Sequence, residues 1–151
     1  MATVALTGSD TIIINNKILS DLADGDVAVL EYPNNIADVK TGKNGNSVYA
    51  LNETGKNSEL TLRVIRGSAD DKFLNNLLVN QEANFAGTTL MIGEFIKQIG
   101  DGKGNISADI YLTSGGIFLK KVGAKSNVEG DTGQSVSEYK LKFSNATRAI
   151  T

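Results

Sequence analysis

The sequence contains no cysteine, no histidine and no tryptophan, and only one proline. Without cysteine and histidine there are no thiol nucleophiles, disulfide cross-links, Cys/His zinc sites, Ser-His-Asp triad or imidazole acid–base chemistry. An enzyme built from this chain would have to work with carboxylates, Lys, Tyr or hydroxyls. Lys and Arg number 15 against 17 Asp and Glu, so the basic excess that phosphate binding needs is missing. No apolar run approaches the ~18 residues of a membrane span. Met1 to Gly8 carry neither a basic segment nor a long apolar stretch, so no secretion signal is expected. Aromatic residues make up 6% of the chain, which leaves few platforms for stacking a sugar or a base. What is present is 151 residues, 40% hydrophobic and 21% charged, one domain's length with enough apolar content to bury a core.

We read the chain as a single domain over 1–151, with residues 1–10 as an N-terminal arm whose two large apolar side chains, Val4 and Leu6, are too few to anchor a strand by burial. Strands are expected at Thr11 to Leu19, with an Asn15-Asn16 bend, and at Asp26 to Tyr32, stopped by Pro33. Ile36 to Asn52 reads as a hairpin around Asn44-Gly45, the strongest turn signal in the chain. Glu59 to Arg66 alternates, with Leu60, Leu62 and Val64 facing a core. One helix is expected over about 69–81, capped by Ser68, with Asp70 and Asp71 as first-turn charges and Phe73, Leu74, Leu77 and Leu78 as its apolar stripe. Four more strands follow, Thr88 to Ile99, Asn105 to Thr113, Gly116 to Val122 and Ser135 to Phe143, separated by the turns GDGKG, TSGG and EGDTG. The fold class is therefore mainly β, an antiparallel β-sandwich or partly closed barrel of about eight strands with one packed helix and a long protruding hairpin.

Two features fit an isolated subunit poorly. Thr88 to Ile99 is apolar at both parities, so both of its faces ask for cover. A hairpin as long as Ile36 to Asn52 would project well beyond so small a core. Both point to surface buried by other copies of the chain.

The chemical motifs mostly fail on inspection. Gly100-Asp101-Gly102-Lys103-Gly104-Asn105 lacks the Ser or Thr that must follow the Gly-Lys of a phosphate loop. As a calcium loop it places a cation, Lys103, third and Leu112 at the position that needs Glu. No Gly-x-Ser-x-Gly elbow surrounds Ser9, Ser68 or Ser114. The pairs Asp24 with Asp26 and Asp70 with Asp71 read as turn and helix-start charges rather than glycosidase carboxylates. No catalytic residue, cofactor or metal is expected.

The order of features resembles the tail tube (inner tube) proteins of contractile-tailed bacteriophages, a family related to the tubes of phage-tail-like bacteriocins and type VI secretion. The residues that carry the resemblance are Ile18-Leu19-Ser20-Asp21-Leu22-Ala23-Asp24-Gly25-Asp26-Val27, Gly42-Lys43-Asn44-Gly45-Asn46, Asn57-Ser58-Glu59-Leu60-Thr61-Leu62, Ser68 to Leu77, and Glu138-Tyr139-Lys140-Leu141-Lys142-Phe143. It is a likeness of pattern over nearly the whole chain, with no catalytic signature.

The resemblance implies a non-enzymatic β-sandwich subunit whose inner sheet joins those of five neighbours into a barrel. Hexameric rings would stack into a hollow tube through which DNA passes without specific binding, along a polar bore. It also implies tail sheath and baseplate or terminator proteins as partners, no membrane, and a place in the virion tail after assembly in the host bacterial cytoplasm. Candidate contacts between copies are Val4 and Leu6 in the arm, and Lys40, Lys43, Asn44, Gly45, Asn46 and Tyr49 in the hairpin. Parity alone leaves two choices per strand for the side that would face a bore. The alternative reading is a monomeric β-sandwich binding module for carbohydrate or protein, for which Tyr32, Tyr49, Tyr111 and Tyr139 are available; a carboxylate-based hydrolase comes third.

Overall fold

The computed structural model describes residues 3–8, 10–126 and 135–151. Its elements in chain order are β1 (Ala5–Leu6), β2 (Thr11–Ile14), β3 (Lys17–Ile18), β4 (Ala28–Glu31), β5 (Ala37–Thr41), β6 (Ser47–Leu51), β7 (Ser58–Ile65), α1 (Ala69–Ala83), β8 (Met91–Gly100), β9 (Ile106–Phe118) and β10 (Val136–Ile150). Eight strands form one antiparallel sheet in the order β3-β2-β8-β9-β10-β7-β4, with β1 added to β8 beside β2, while β5 and β6 form a separate ribbon.

Local chemistry explains the path. Ile12 and Ile14 of β2 are buried, and the chain then reverses through Asn15 and Asn16, both at positive φ (50° and 66°), which Asn tolerates and a tight hairpin turn requires. In β7, Leu60, Leu62 and Val64 are buried at every second position, as their alternation predicts. The sheet is not closed by strand pairing; it folds over, so that Ile12 and Ile14 near one end meet Leu30 and Leu60 near the other around a small void. Of the expected sandwich or partly closed barrel, the mainly β structure is consistent with the sandwich.

The bend comes from a feature the sequence disguises. Thr113 to Gly116 reads as a turn between two strands, but β9 runs through it without a break. Its register against β8 slips by one residue between the pairs Met91–Gly116 and Gly93–Thr113, with Gly115 at φ 66°. A Gly pair signals a bulge as well as a turn, and here it is a bulge. Gly116 also makes room for the core, since a Cβ there would stand 2.5 Å from the Phe143 ring. Past this point the inward positions change phase in both strands: Gly116 and Phe118 give way to Thr113 and Asp109 in β9, and Phe143 to Ala146 in β10. Two boundaries differ accordingly. The strand expected at Gly116 to Val122 ends at Phe118, and the one expected to stop at Phe143 continues to Ile150. The expected EGDTG turn lies outside the described residues.

Helix α1 covers the core side of the sheet. Ser68 caps it, its Oγ accepting the Asp71 amide at 3.2 Å. Leu74 and Leu78 are buried, while Phe73 and Leu77 flank them half-buried. Gln81 pairs with the end of β9 as a strand would: Nε2 donates to the Phe118 carbonyl at 3.0 Å and Oε1 accepts the Phe118 amide at 2.9 Å. This closes the β9 edge beyond the start of β8.

Candidate assembly surfaces

Two carboxylates, one buried and one half-buried, anchor the frame. Asp70, fully buried at the start of α1, accepts the amides of Ser20 and Asp21 on Oδ2 (2.6 and 2.7 Å) and the Lys17 ammonium on Oδ1 (3.3 Å). It ties the helix to the segment after β3, where the Asp21 carbonyl accepts from Ile65 and the Ala23 amide donates to Arg63 on the outer edge of β7. Asp71 next to it receives the hydroxyls of Tyr139 and Ser137 and the Gly67 amide. Burial, and then the hydrogen bond to Asp71, push the Tyr139 hydroxyl's pKa upward.

A second cluster lies on the core side of the lower half of the sheet. Arg148 of β10 donates through Nε and Nη2 to Asp109 of β9, both at 2.8 Å, and its guanidinium stands 5.7 Å from the centre of the Tyr111 ring. The Arg148 hydrogen bond holds the Asp109 carboxyl below the usual carboxylate range. Tyr111 meets Phe95 edge to face at 6.1 Å. Burial raises the pKa of Tyr32 beside them, with the charge on Tyr111 as the next cause. Among the described residues no group of three or more acidic side chains comes together to hold a metal. The GDGKG segment is a β8–β9 turn, tied by Asp101, which accepts the amides of Lys103 and Asn105 and the Asn105 side chain.

Outside this frame, the outward face of the sheet divides at the bulge. Above it the cross-strand neighbours are charged and complementary, Glu59 with Lys142 and Arg63 with Glu138. Below it, the outward rows of β2, β8, β9 and β10 read Ile13-Glu94-Leu112-Thr147 and Thr11-Ile96-Ile110-Ala149. Glu94 is the one charge in them. Such a face is unusual on a surface left to water.

The edges are open as well. β7 pairs with β10 only as far as Phe143, so residues 145–150 have, among the described residues, a ladder partner on the β9 side alone, with the Glu53–Lys56 turn lying beside them. The ribbon β5–β6 is exposed along its whole length. Val39 and Tyr49 are register partners, as are Ala37 and Leu51, so one ribbon face is apolar and uncharged; Asp38 and Lys40 point to the other.

The whole-chain arrangement has a known counterpart. The fold matches that of a chain in a contractile injection system. That chain comes from the structure described as an extracellular contractile injection system, PVC sheath-tube complex in the extended state; the likeness has a TM-score of 0.62 and covers 94% of this chain and 88% of that one, at 9% sequence identity. No protein-family model matches the sequence, and no curated protein does. Shared fold, rather than shared sequence, is the content of the likeness.

Against that fold the candidate contact residues take these places. Lys43, Asn44, Gly45 and Asn46 form the ribbon tip, where Gly45 has φ 83°. Lys40 and Tyr49 lie on the ribbon too, but point to opposite faces. Val4 and Leu6 sit apart on the β8 edge; Ala5 and Leu6 pair with Gly100 and Ile99, while Val4 and Leu6 remain 62% and 63% exposed. The arm is thus held by main chain and not by burial. Sequence reasoning missed Val39 and Leu51, although the alternation of Ala37 and Val39 with Tyr49 and Leu51 was available to reveal them. It missed the lower β10 edge because that strand was ended at Phe143.

Proposed function

We propose that this chain is a structural, non-enzymatic tail tube subunit that assembles edge to edge into hexameric rings stacked as a hollow tube. The observation that carries the proposal is an open sheet with the rest of the subunit on one side of it. The strands β2, β8, β9 and the lower half of β10 lie between two edges that another copy can meet, β3 with β1 on one side and residues 145–150 on the other, and α1 and β7 pack on their core side. Pairing unlike edges of successive copies removes both edges, and it closes a ring when the rotation per copy permits. The bulk of each subunit does not fit inside such a ring, so the outward rows containing Glu94 line the bore.

This bore is less polar than the sequence reading expects, and it offers no Lys or Arg to hold a phosphate backbone, which suits a conduit for DNA. The ribbon, exposed and apolar on one face, makes the contacts between rings. A tail sheath surrounds the tube, and the assembly belongs to a virion tail or a related particle. Negative-stain images of the purified protein test the reading: rings or hollow tubes of sixfold symmetry are expected. Monomers alone, at concentrations up to the solubility limit, would refute it.

A further inference from the structure

We infer that β1 of one copy fills a groove on the next, forming the strand that joins the two sheets. The receptor is built from three observations. The first is the free edge. The Thr151 amide donates to the Ala108 carbonyl, so in the alternating antiparallel ladder Thr147 and Ala149 also bond toward β9, and Ala146, Arg148 and Ile150 turn their main-chain groups to the unpaired side. The second is a groove of about 570 Å³ beside that edge, mostly apolar, walled by Tyr32, Ile36 and Leu51 with Glu53 and Lys56 on the side of the turn before β7, and floored by Ala146 and Arg148. The third is the floor's rigidity, since Arg148 is clamped to Asp109 by two hydrogen bonds. An open edge beside an apolar groove takes a strand whose main chain completes the ladder and whose alternate side chains enter the groove.

Among the described residues one segment has those properties. Thr3-Val4-Ala5-Leu6-Thr7 is uncharged and apolar at alternate positions, and its large side chains bury little within their own subunit. β1 uses one edge to pair with β8, and no strand among the described residues pairs with the other. Parity agrees: Leu6 is opposite Ile99, in phase with inward Gly93, so Val4 and Leu6 point to the core side, the side of Ala146 and Arg148. The rival segments fail. β5 and β6 already pair with each other, and β3 has Lys17 committed to Asp70. β8 and β9 separate β1 from β10 in its own sheet, a span of about 14 Å at the usual strand spacing, so the groove is filled by a second copy.

The inference rests on the tube reading only in requiring that copies meet edge to edge, and the test separates the two. Hydrogen exchange of wild-type protein is compared between subunits and assembled tubes. By the same alternation Ala5 already bonds Gly100, so the amides of Val4 and Leu6 face the open side; these and the amides of Ala146, Arg148 and Ile150 are expected to slow together by at least about tenfold on assembly. Because the chain has no cysteine, a Leu6→Cys, Ile36→Cys variant adds a positional readout: mild oxidation of its tubes should give a ladder of disulfide-linked copies on a denaturing gel. Tubes in which these amides exchange as fast as in the subunit would overturn the inference and leave the tube reading intact. Wild-type protein that never assembles would overturn both.

Discussion

A carboxylate taken out of water is costly unless its oxygens are occupied, and Asp70 meets that condition with the amides of Ser20 and Asp21 and with Lys17. Asp70→Ala is expected to lose about 1–3 kcal/mol for each main-chain donor left unpaired, read by urea unfolding; a loss no larger than that of Ala69→Ser would show that the seam holds without it. Asp109 makes a pH prediction. Its folded pKa is lowered by Arg148, so its stabilising effect is present above the unfolded value near 4 and is lost as pH falls through the folded one. Asp109→Asn should therefore lower the thermal midpoint at neutral pH, with the gap from wild type closing below about pH 4. A gap that persists in acid would assign the effect to packing. Neither role was legible in the sequence. Asp70 stands one residue from Asp71 at a helix start, where an acidic residue is explained by the helix dipole alone, and Arg148 lies beyond the expected end of its strand.

Elements were legible where period and punctuation agreed, as in β7, α1 and the Asn-Gly hairpin, and illegible where one signal serves two structures. Thr113-Ser114-Gly115-Gly116 has the composition of a turn, and only the neighbouring β8 and β10 make it a bulge. The helix stripe was read correctly as a stripe, with Leu74 and Leu78 buried and Phe73 and Leu77 half-buried at the margin of the core. Leu74→Ala should cost about 2–5 kcal/mol by lost burial and a cavity, while Val79→Ala, half exposed on the far side, should change stability by less than about 0.5 kcal/mol. Equal losses at the two sites would mean that the helix packs on both faces. The ribbon makes the opposite prediction. Replacing Thr41 to Ser47 with a short Gly/Ser turn should leave the thermal midpoint of the subunit unchanged, because no core residue is removed, and should abolish tubes in negative stain. Tubes of normal length from that variant would remove the ribbon from the contact between rings.

At the scale of the whole molecule, one bulge divides a single sheet into two surfaces of different chemistry. The upper outward face carries the cross-strand pairs of charges expected of a surface in water, and the lower one carries a single carboxylate among isoleucines and leucine. β10 runs through both, and its outward positions change from Glu138, Lys140 and Lys142 above to Thr147 and Ala149 below, a contrast within one strand that different surroundings account for. On the tube reading the lower face looks into the bore, where an added side chain meets solvent and not protein. Leu112→Lys is then expected to fold and to form tubes of unchanged outer diameter. Its added cation per subunit should make the bore retain DNA at low salt and release it as salt rises, which the wild-type bore does not do. Lys140→Glu, on the upper outward face, is the control and should leave retention at the wild-type level. Should Leu112→Lys subunits keep their thermal midpoint yet fail to assemble, the lower face is a contact between copies, and a ring built with the body of the subunit outside is the wrong geometry.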